Sequence, residues 1–339
     1  MNIKILNDIA AKMVVAGKGI LAADESTPTC TKRFDSINVD CTQETRNVYR
    51  DMLFTAPNLS DYISGVIMFD ETFHQTTIND KSISFPKFLQ SKNILPGIKV
   101  DKGVQQLALS DGETITIGLD DLDERVYKYS KLGAKFAKWR AVITIADVFP
   151  SAGCIDANAH SLARYAAICQ RHNIVPIVEP EVLMNGNHSI DRSFDVSRET
   201  LNCVFKHLKK QKVYLGGIVL KPSMVISGSD FSDKPSYDDV AKMTVECLLE
   251  TVPEEVPGIA FLSGGQTSFD ATNHLNIMNK KYSEKLKWNL TFSYGRALQS
   301  DTLDAWSGEN NNMMMAQNIL INHALDNSQA SLGTYNKES

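Results

Sequence analysis

Tyr214-Leu-Gly-Gly-Ile-Val-Leu-Lys-Pro-Ser-Met-Val225 is the stretch on which the reading of this chain turns. Within it, Gly217-Ile-Val-Leu220 is a short apolar run, bounded by glycine before and by Lys221 and Pro222 after. A run this short with broken borders suits a strand covered on both faces better than a helix. Pro222 biases the residue before it toward extended backbone, which puts Lys221 at the strand's carboxyl end. On an apolar run desolvation disfavours the ammonium, so a neutral amine is expected there. A neutral amine can attack a carbonyl carbon and form a Schiff base. A lone lysine at a strand end more often snorkels into water. What lifts Lys221 above that reading is repetition of the same pattern along the chain.

Seven more apolar runs share the design: 17–24, 63–69, 94–100, 134–141, 174–181, 258–265 and 288–296. An amphipathic helix is expected in the first ten residues, and others over 42–54, 121–132, 157–172, 194–210, 237–251 and 271–280. The remainder, 301–330, reads as helix with a polar interruption at 308–312. Short strands alternating with helices indicate parallel βαβ units, and eight of them predict an α/β protein of the (β/α)8 TIM-barrel type. An open doubly wound sheet competes, but the chain has neither G-x-G-x-x-G after its first strand nor a P-loop string. No linker or low-complexity stretch divides it. A single domain over 1–339 is expected, with an N-terminal helix and a C-terminal helical extension and tail from about 301.

Bulk composition narrows the function. At 43% hydrophobic, 22% charged and net charge −5, the chain is ordinary for a globular protein and carries no basic footprint for nucleic acid. The lysines between Lys206 and Lys212 read as a solvated helix end. No apolar run reaches the roughly 18 residues a membrane span needs, and the N-terminus does not resemble a signal peptide, so a cytoplasmic address is expected. Six cysteines (Cys30, Cys41, Cys154, Cys169, Cys203, Cys247) without a C-x-x-C pair are expected to be reduced and mostly packing.

A barrel gathers its strand carboxyl ends on one face, where active sites are built. Asp24, Glu71, Lys99, Lys138, Arg140, Glu179, Glu181, Lys221, Ser263 and Arg296 would therefore meet. Several buried charges together are costly unless they pair or work. Lys221 is the candidate nucleophile, with Lys138 as a second ammonium lowering its pKa. Glu179, Glu181 and Asp24 supply carboxylates, one of which crowding should push up until it can act as an acid. Ser263-Gly264-Gly265 and Ser293-Tyr-Gly295-Arg296 end the last two strands, where barrels commonly hold phosphate. Lys99, Arg140 and the 26–33 loop, with Ser26 and Arg33, form a second basic and hydroxyl cluster. Each piece alone is most often a turn or a surface pair. Together they imply a substrate with two phosphates flanking an amine. Metal catalysis is the rival, but the seven histidines show no H-E-x-x-H or H-x-H grouping, and no metal is expected.

These residues resemble the class I fructose-bisphosphate aldolase family. The matching strings are GKGILAADES (17–26), KR (32–33), GIKVDKG (97–103), KWR (138–140), PIVEPE (176–181), LKPSMV (220–225), FLSGGQ (261–266) and SYGRALQ (293–299). The resemblance implies a barrel enzyme, usually a homotetramer, that reversibly cleaves fructose 1,6-bisphosphate in glycolysis and gluconeogenesis without cofactor. It implies that Lys221 forms the imine and that Glu179 is the acid/base, with Asp24 and Lys138 assisting and Glu181 positioning Lys221. It places one phosphate on Ser263, Gly264, Gly295 and Arg296, and the other near Ser26, Lys99, Arg33 and Arg140. Family analogy also allows cytoskeletal binding, although no surface patch in the sequence supports it. The chain departs from the animal enzymes at its end, Thr334-Tyr-Asn-Lys-Glu-Ser339, where those carry a closing tyrosine, and at Thr29, where serine is frequent. Another imine-forming barrel enzyme, acting on a single-phosphate sugar, is the alternative reading.

Overall fold

Each of the eight apolar runs forms a strand in the computed structural model, which describes residues 1–336. In chain order the strands are β1 (Gly19–Ala23), β2 (Ile63–Met68), β3 (Leu95–Lys99), β4 (Val104–Gln106), β5 (Thr114–Thr116), β6 (Phe136–Ile143), β7 (Val175–Val182), β8 (Val219–Leu220), β9 (Gly258–Phe261) and β10 (Asn289–Tyr294). All but β4 and β5 pair in parallel and close a barrel in the order β1-β10-β9-β8-β7-β6-β3-β2. The short antiparallel hairpin β4–β5 stands outside the barrel and was not anticipated, because three exposed residues at β4 show no apolar alternation.

β8 is only two residues long, and its neighbours explain why. Leu215–Gly217 turn as a 3-10 helix beneath the N-terminal Ile3–Met13 helix, where a Cβ on Gly217 would lie 2.8 Å from Leu6 Cβ. Past the strand, Lys221 N–H still donates to the Val178 carbonyl at 2.8 Å. Pro222 then ends the pairing for want of an N–H.

Inside the barrel, Ile20, Ala22, Ile67, Phe136, Val175, Ile177, Val219 and Ala260 pack on Leu6, Ala10, Met13 and Val14 at the end of the N-terminal segment. The first helix thus seals the bottom of the barrel. Burying a ring such as Phe136 is worth about 1.5–3 kcal/mol. Gly97 makes room for it, since a Cβ there would overlap the Phe136 ring. A larger core fills the space between strands and outer helices.

The helices run slightly longer than periodicity suggests because polar caps extend them. Ala152–Arg171, Ile190–Lys210 and Ser268–Tyr282 begin where Ser151, Ser189 and Thr267 accept hydrogen bonds from backbone N–H groups three residues on. Tyr237–Thr251 matches its expected bounds behind a Ser236–Asp239 capping box. The C-terminal extension comprises Arg296–Trp306 and Met313–Ser331, broken near Gly308. No helix among the described residues is long and apolar enough to cross a membrane.

Candidate active site

The register of the ladder decides which side chains meet. On β6 and β7, Arg140 lies opposite Glu179 and Lys138 opposite Ile177, while on β3 and β6 Lys99 lies opposite Lys138. Residues two apart on a strand share a face. Lys138 and Arg140 therefore point the same way, as do Glu179 and Glu181. All four line a cavity of about 400 Å³ at the carboxyl ends of the strands, together with Asp24, Lys99 and Lys221.

Charge alternates across this cavity. Lys221 Nζ lies 3.2 Å from Glu179 Oε1, with both side chains 4% exposed. Glu179 Oε2 lies 3.4 Å from Lys138 Nζ, which sits 2.7 Å from Asp24 Oδ2. Burial pushes the Asp24 carboxyl up, but Lys138, Lys221 and Lys99 outweigh it and hold the group far below the usual carboxylate range. Burial likewise pulls the Lys138 ammonium down, yet Asp24, Glu179 and Asp101 hold it well above its ordinary value. The expected crowding of carboxylates thus fails for Asp24, because lysines sit between the acids.

Two further expectations need correction. Glu181 does not contact Lys221; it accepts a bond from Arg140 Nε, whose long stem carries the guanidinium past its ladder partner Glu179. The carboxylate that holds Lys221 is Glu179. Glu71 does not reach the cavity either. Its chain turns into the short Asp70–Phe73 helix, and both carboxylate oxygens bind Arg46, at 2.8 and 2.6 Å.

The cavity is flanked by two helix N-termini. On one side Gly295 caps the Arg296–Trp306 helix, and Gly295, Arg296, Ser263, Gly264 and Ser293 line the wall. A Cβ on Gly295 would come within 3.2 Å of the Ala22 carbonyl, so the chain approaches β1 closely there. Gly264 turns the chain after Ser263 at a φ of +58°, a left-handed conformation that glycine adopts without strain. The buried Ser293 hydroxyl has no hydrogen-bond partner among the described residues. Gly265 falls outside this wall, against Met184 and Arg296. On the other side the 26–33 segment is a helix, Thr27–Asp35, and not a loop; only Cys30 and Phe34 are buried on it, too sparse a pattern to signal helix. Its cap Ser26, with Thr29 at 3.1 Å, faces the cavity, as do Arg33 and Lys99. Helix N-termini with serine, lysine and arginine nearby suit anions such as phosphate.

Three acid and base partners went unnoticed in the sequence. Glu25 lies between Arg33 and the buried Arg50, 2.6 Å from the latter, and so fixes the first helix of the wall. Asp101 accepts from Lys99 at 3.0 Å and from Gly103 N–H at 3.1 Å. The nearness of Glu25 to Asp24 and of Asp101 to Lys99 was the available clue. Tyr335 is buried, exchanges backbone bonds with the Asn276 side chain, and does not line the cavity. Residues 337–339 of the expected tail lie outside those described.

Comparison with known proteins agrees with this geometry. The family profile for fructose-bisphosphate aldolase class-I matches residues 5–339. A probable fructose-bisphosphate aldolase class 1 of Xylella fastidiosa is 51% identical, covering 99% of both chains. Fructose-bisphosphate aldolase A of Salmo salar is 49% identical, over 98% of this chain and 91% of its own. Fructose-bisphosphate aldolase of Plasmodium falciparum, crystallised with TRAP and a small-molecule inhibitor, superposes with a TM-score of 0.96 at 45% identity. That match covers 99% of this chain and 96% of the other. A fold, a lysine-centred cavity and near-complete alignment agree, and the chain belongs to the class I fructose-bisphosphate aldolase family.

Proposed function

We propose that this chain reversibly cleaves fructose 1,6-bisphosphate into dihydroxyacetone phosphate and glyceraldehyde 3-phosphate through a Schiff base on Lys221. The observation that carries the reading is the run Lys221–Glu179–Lys138–Asp24 between two anion-suited walls. Class I members work through lysine and need no metal.

Glu179 takes a proton from the Lys221 ammonium across their 3.2 Å contact, freeing the amine to attack the C2 carbonyl. The carbinolamine loses water when Glu179 returns the proton to its hydroxyl. The protonated imine then draws electrons from the C3–C4 bond, while a carboxylate accepts the proton of the C4 hydroxyl and the aldehyde leaves. Glu179, facing Lys221, takes that role, and Lys138, held by Asp24, lies 3.4 Å from its second oxygen. The enamine is reprotonated at carbon, and water releases the ketone. Ser263, Gly264, Ser293, Gly295 and Arg296 would hold one phosphate, and Ser26, Arg33 and Lys99 the other. Glu181 orients Arg140. The cavity of about 400 Å³ suits a small phosphorylated sugar.

We also infer a cytoplasmic homotetramer serving glycolysis and gluconeogenesis. Relatives named as cytosolic in Arabidopsis thaliana and as a cytoplasmic isozyme in Spinacia oleracea support the address. Light scattering on the purified protein tests the assembly. Borohydride in the presence of fructose 1,6-bisphosphate should trap substrate on Lys221, with activity intact in EDTA. Label on another lysine, or full inactivation by the chelator, would overturn the mechanism. A preference for a single-phosphate sugar would instead point to the related imine-forming enzymes.

A further inference from the structure

The Ala152–Arg171 and Ile190–Lys210 helices pack against each other outside β6 and β7. Asp156 and His160 are four residues apart on the first, and Cys203 and His207 four apart on the second. Such a spacing puts each pair on one helix face. The two faces meet. Asp156 Oδ1 lies 2.8 Å from His207 Nε2 and 3.9 Å from Cys203 Sγ. All three atoms lie within 4.8 Å of one another. His160 stands edge to face with His207, ring centroids 5.6 Å apart. None of the four lines the cavity at the barrel mouth.

We propose that Asp156, Cys203 and His207, completed by His160, form a tetrahedral zinc site between these helices. Zinc bonds oxygen and nitrogen at about 2.0–2.2 Å and sulfur at about 2.3 Å, so a tetrahedron needs donors about 3.3–3.6 Å apart. Two imidazoles on one such ion have centroids about 5 Å apart by the same bond lengths. Two of the observed separations, 2.8 and 3.9 Å, differ from these by roughly half an ångström, and side-chain rotation would bring Cys203, His207 and His160 in to complete the set. The mixture of thiolate, imidazole and carboxylate suits borderline-soft zinc over magnesium or calcium. An ion pair accounts for Asp156 and His207 alone. It gives no reason for a thiol to stand against that carboxylate, or for a second imidazole to stand against the first.

The ion would enter over Asp156, which is 61% exposed, and rest on His207, which is 8% exposed. Thiolate and carboxylate neutralise its two charges, against the opposing Lys206 and Lys210 that also face Asp156. Coordination replaces the Cys203 S–H bond with a zinc–sulfur bond and sends one proton to solvent. The site would clip together the helices behind the two strands that carry Lys138 and Glu179.

The test uses the full chain, stripped of metal with chelator and titrated with zinc against a chromogenic competitor, then with cobalt as a spectroscopic substitute. The expected result is one equivalent per chain, an intense tetrahedral cobalt spectrum and a thiolate charge-transfer band. Zinc should also protect Cys203 from alkylation and raise the melting temperature. Cys203→Ser and His207→Ala should each weaken binding by about 100-fold, and His160→Asn by about 10-fold. Unchanged kcat and circular dichroism in these variants would show that the fold survives. A weak octahedral cobalt spectrum, or equal affinity in Cys203→Ser, would overturn the site and leave an ion pair only. Equal affinity in His160→Asn would remove His160 from it.

Discussion

Glu179 is shared by two lysines, with Oε1 3.2 Å from Lys221 Nζ and Oε2 3.4 Å from Lys138 Nζ. One carboxylate can therefore relay protons to the nucleophile while a permanent cation steadies its other oxygen.

Replacing Glu179 with Gln removes the proton carrier and keeps the shape. A drop in kcat of about 100- to 10,000-fold with little change in KM is expected from loss of general acid–base catalysis. Steady-state kinetics checks it, and rapid-quench trapping should show slower imine formation. An unchanged kcat would reassign the relay.

Asp24→Asn bears on acid stability. The folded-state pKa of Asp24 lies far below the ordinary carboxylate value of 3.8, so its charge stabilises the fold above that pH. That contribution is lost as pH falls through the folded value. The variant should be less stable at pH 7, and its deficit should shrink on acidification below about pH 4. Urea titrations across that range measure the difference, and a constant deficit would count against the Lys138 pairing.

The two walls should separate in kinetics. Arg296→Ala removes a charged donor worth about 1.5–3 kcal/mol, which corresponds to a rise in KM of roughly 10- to 150-fold. Arg33→Ala should weaken fructose 1,6-bisphosphate more than fructose 1-phosphate, because only the bisphosphate reaches the second wall. Equal losses on both substrates would place Arg33 outside phosphate binding.

Gly97→Ala tests the barrel floor. The added methyl would overlap the Phe136 ring, and overpacking of a tight core costs about 1–3 kcal/mol. A lowered urea midpoint with normal KM in the surviving fold is expected.

Much of this architecture was legible because parallel strands are buried on both faces and punctuated sharply. The runs ending at Lys221 and Glu181 show their glycines, prolines and terminal charges directly. Lys138, Arg140, Glu179 and Glu181 were likewise visible as charges at strand ends. Partner choice was not legible. Whether Glu181 meets Lys221 or Arg140 depends on register and stem length across two chains of backbone, which no single run displays. The depressed Asp24 pKa was hidden for the same reason, since it follows from lysines contributed by three other segments. The Thr27–Asp35 helix and the β4–β5 hairpin escaped because they bury too little apolar surface to leave a period.

The ring of strands closes where Ile20 pairs with Ser293 and Leu21 with Tyr294. A ribosome must therefore deliver nearly the whole polypeptide before the earliest strand finds its last neighbour. Until then, both borders of the growing sheet offer unpaired backbone to any passing chain. Synthesis that stalls before residue 289 should release sticky, protease-sensitive intermediates, and folding should run slowly for a protein of this size.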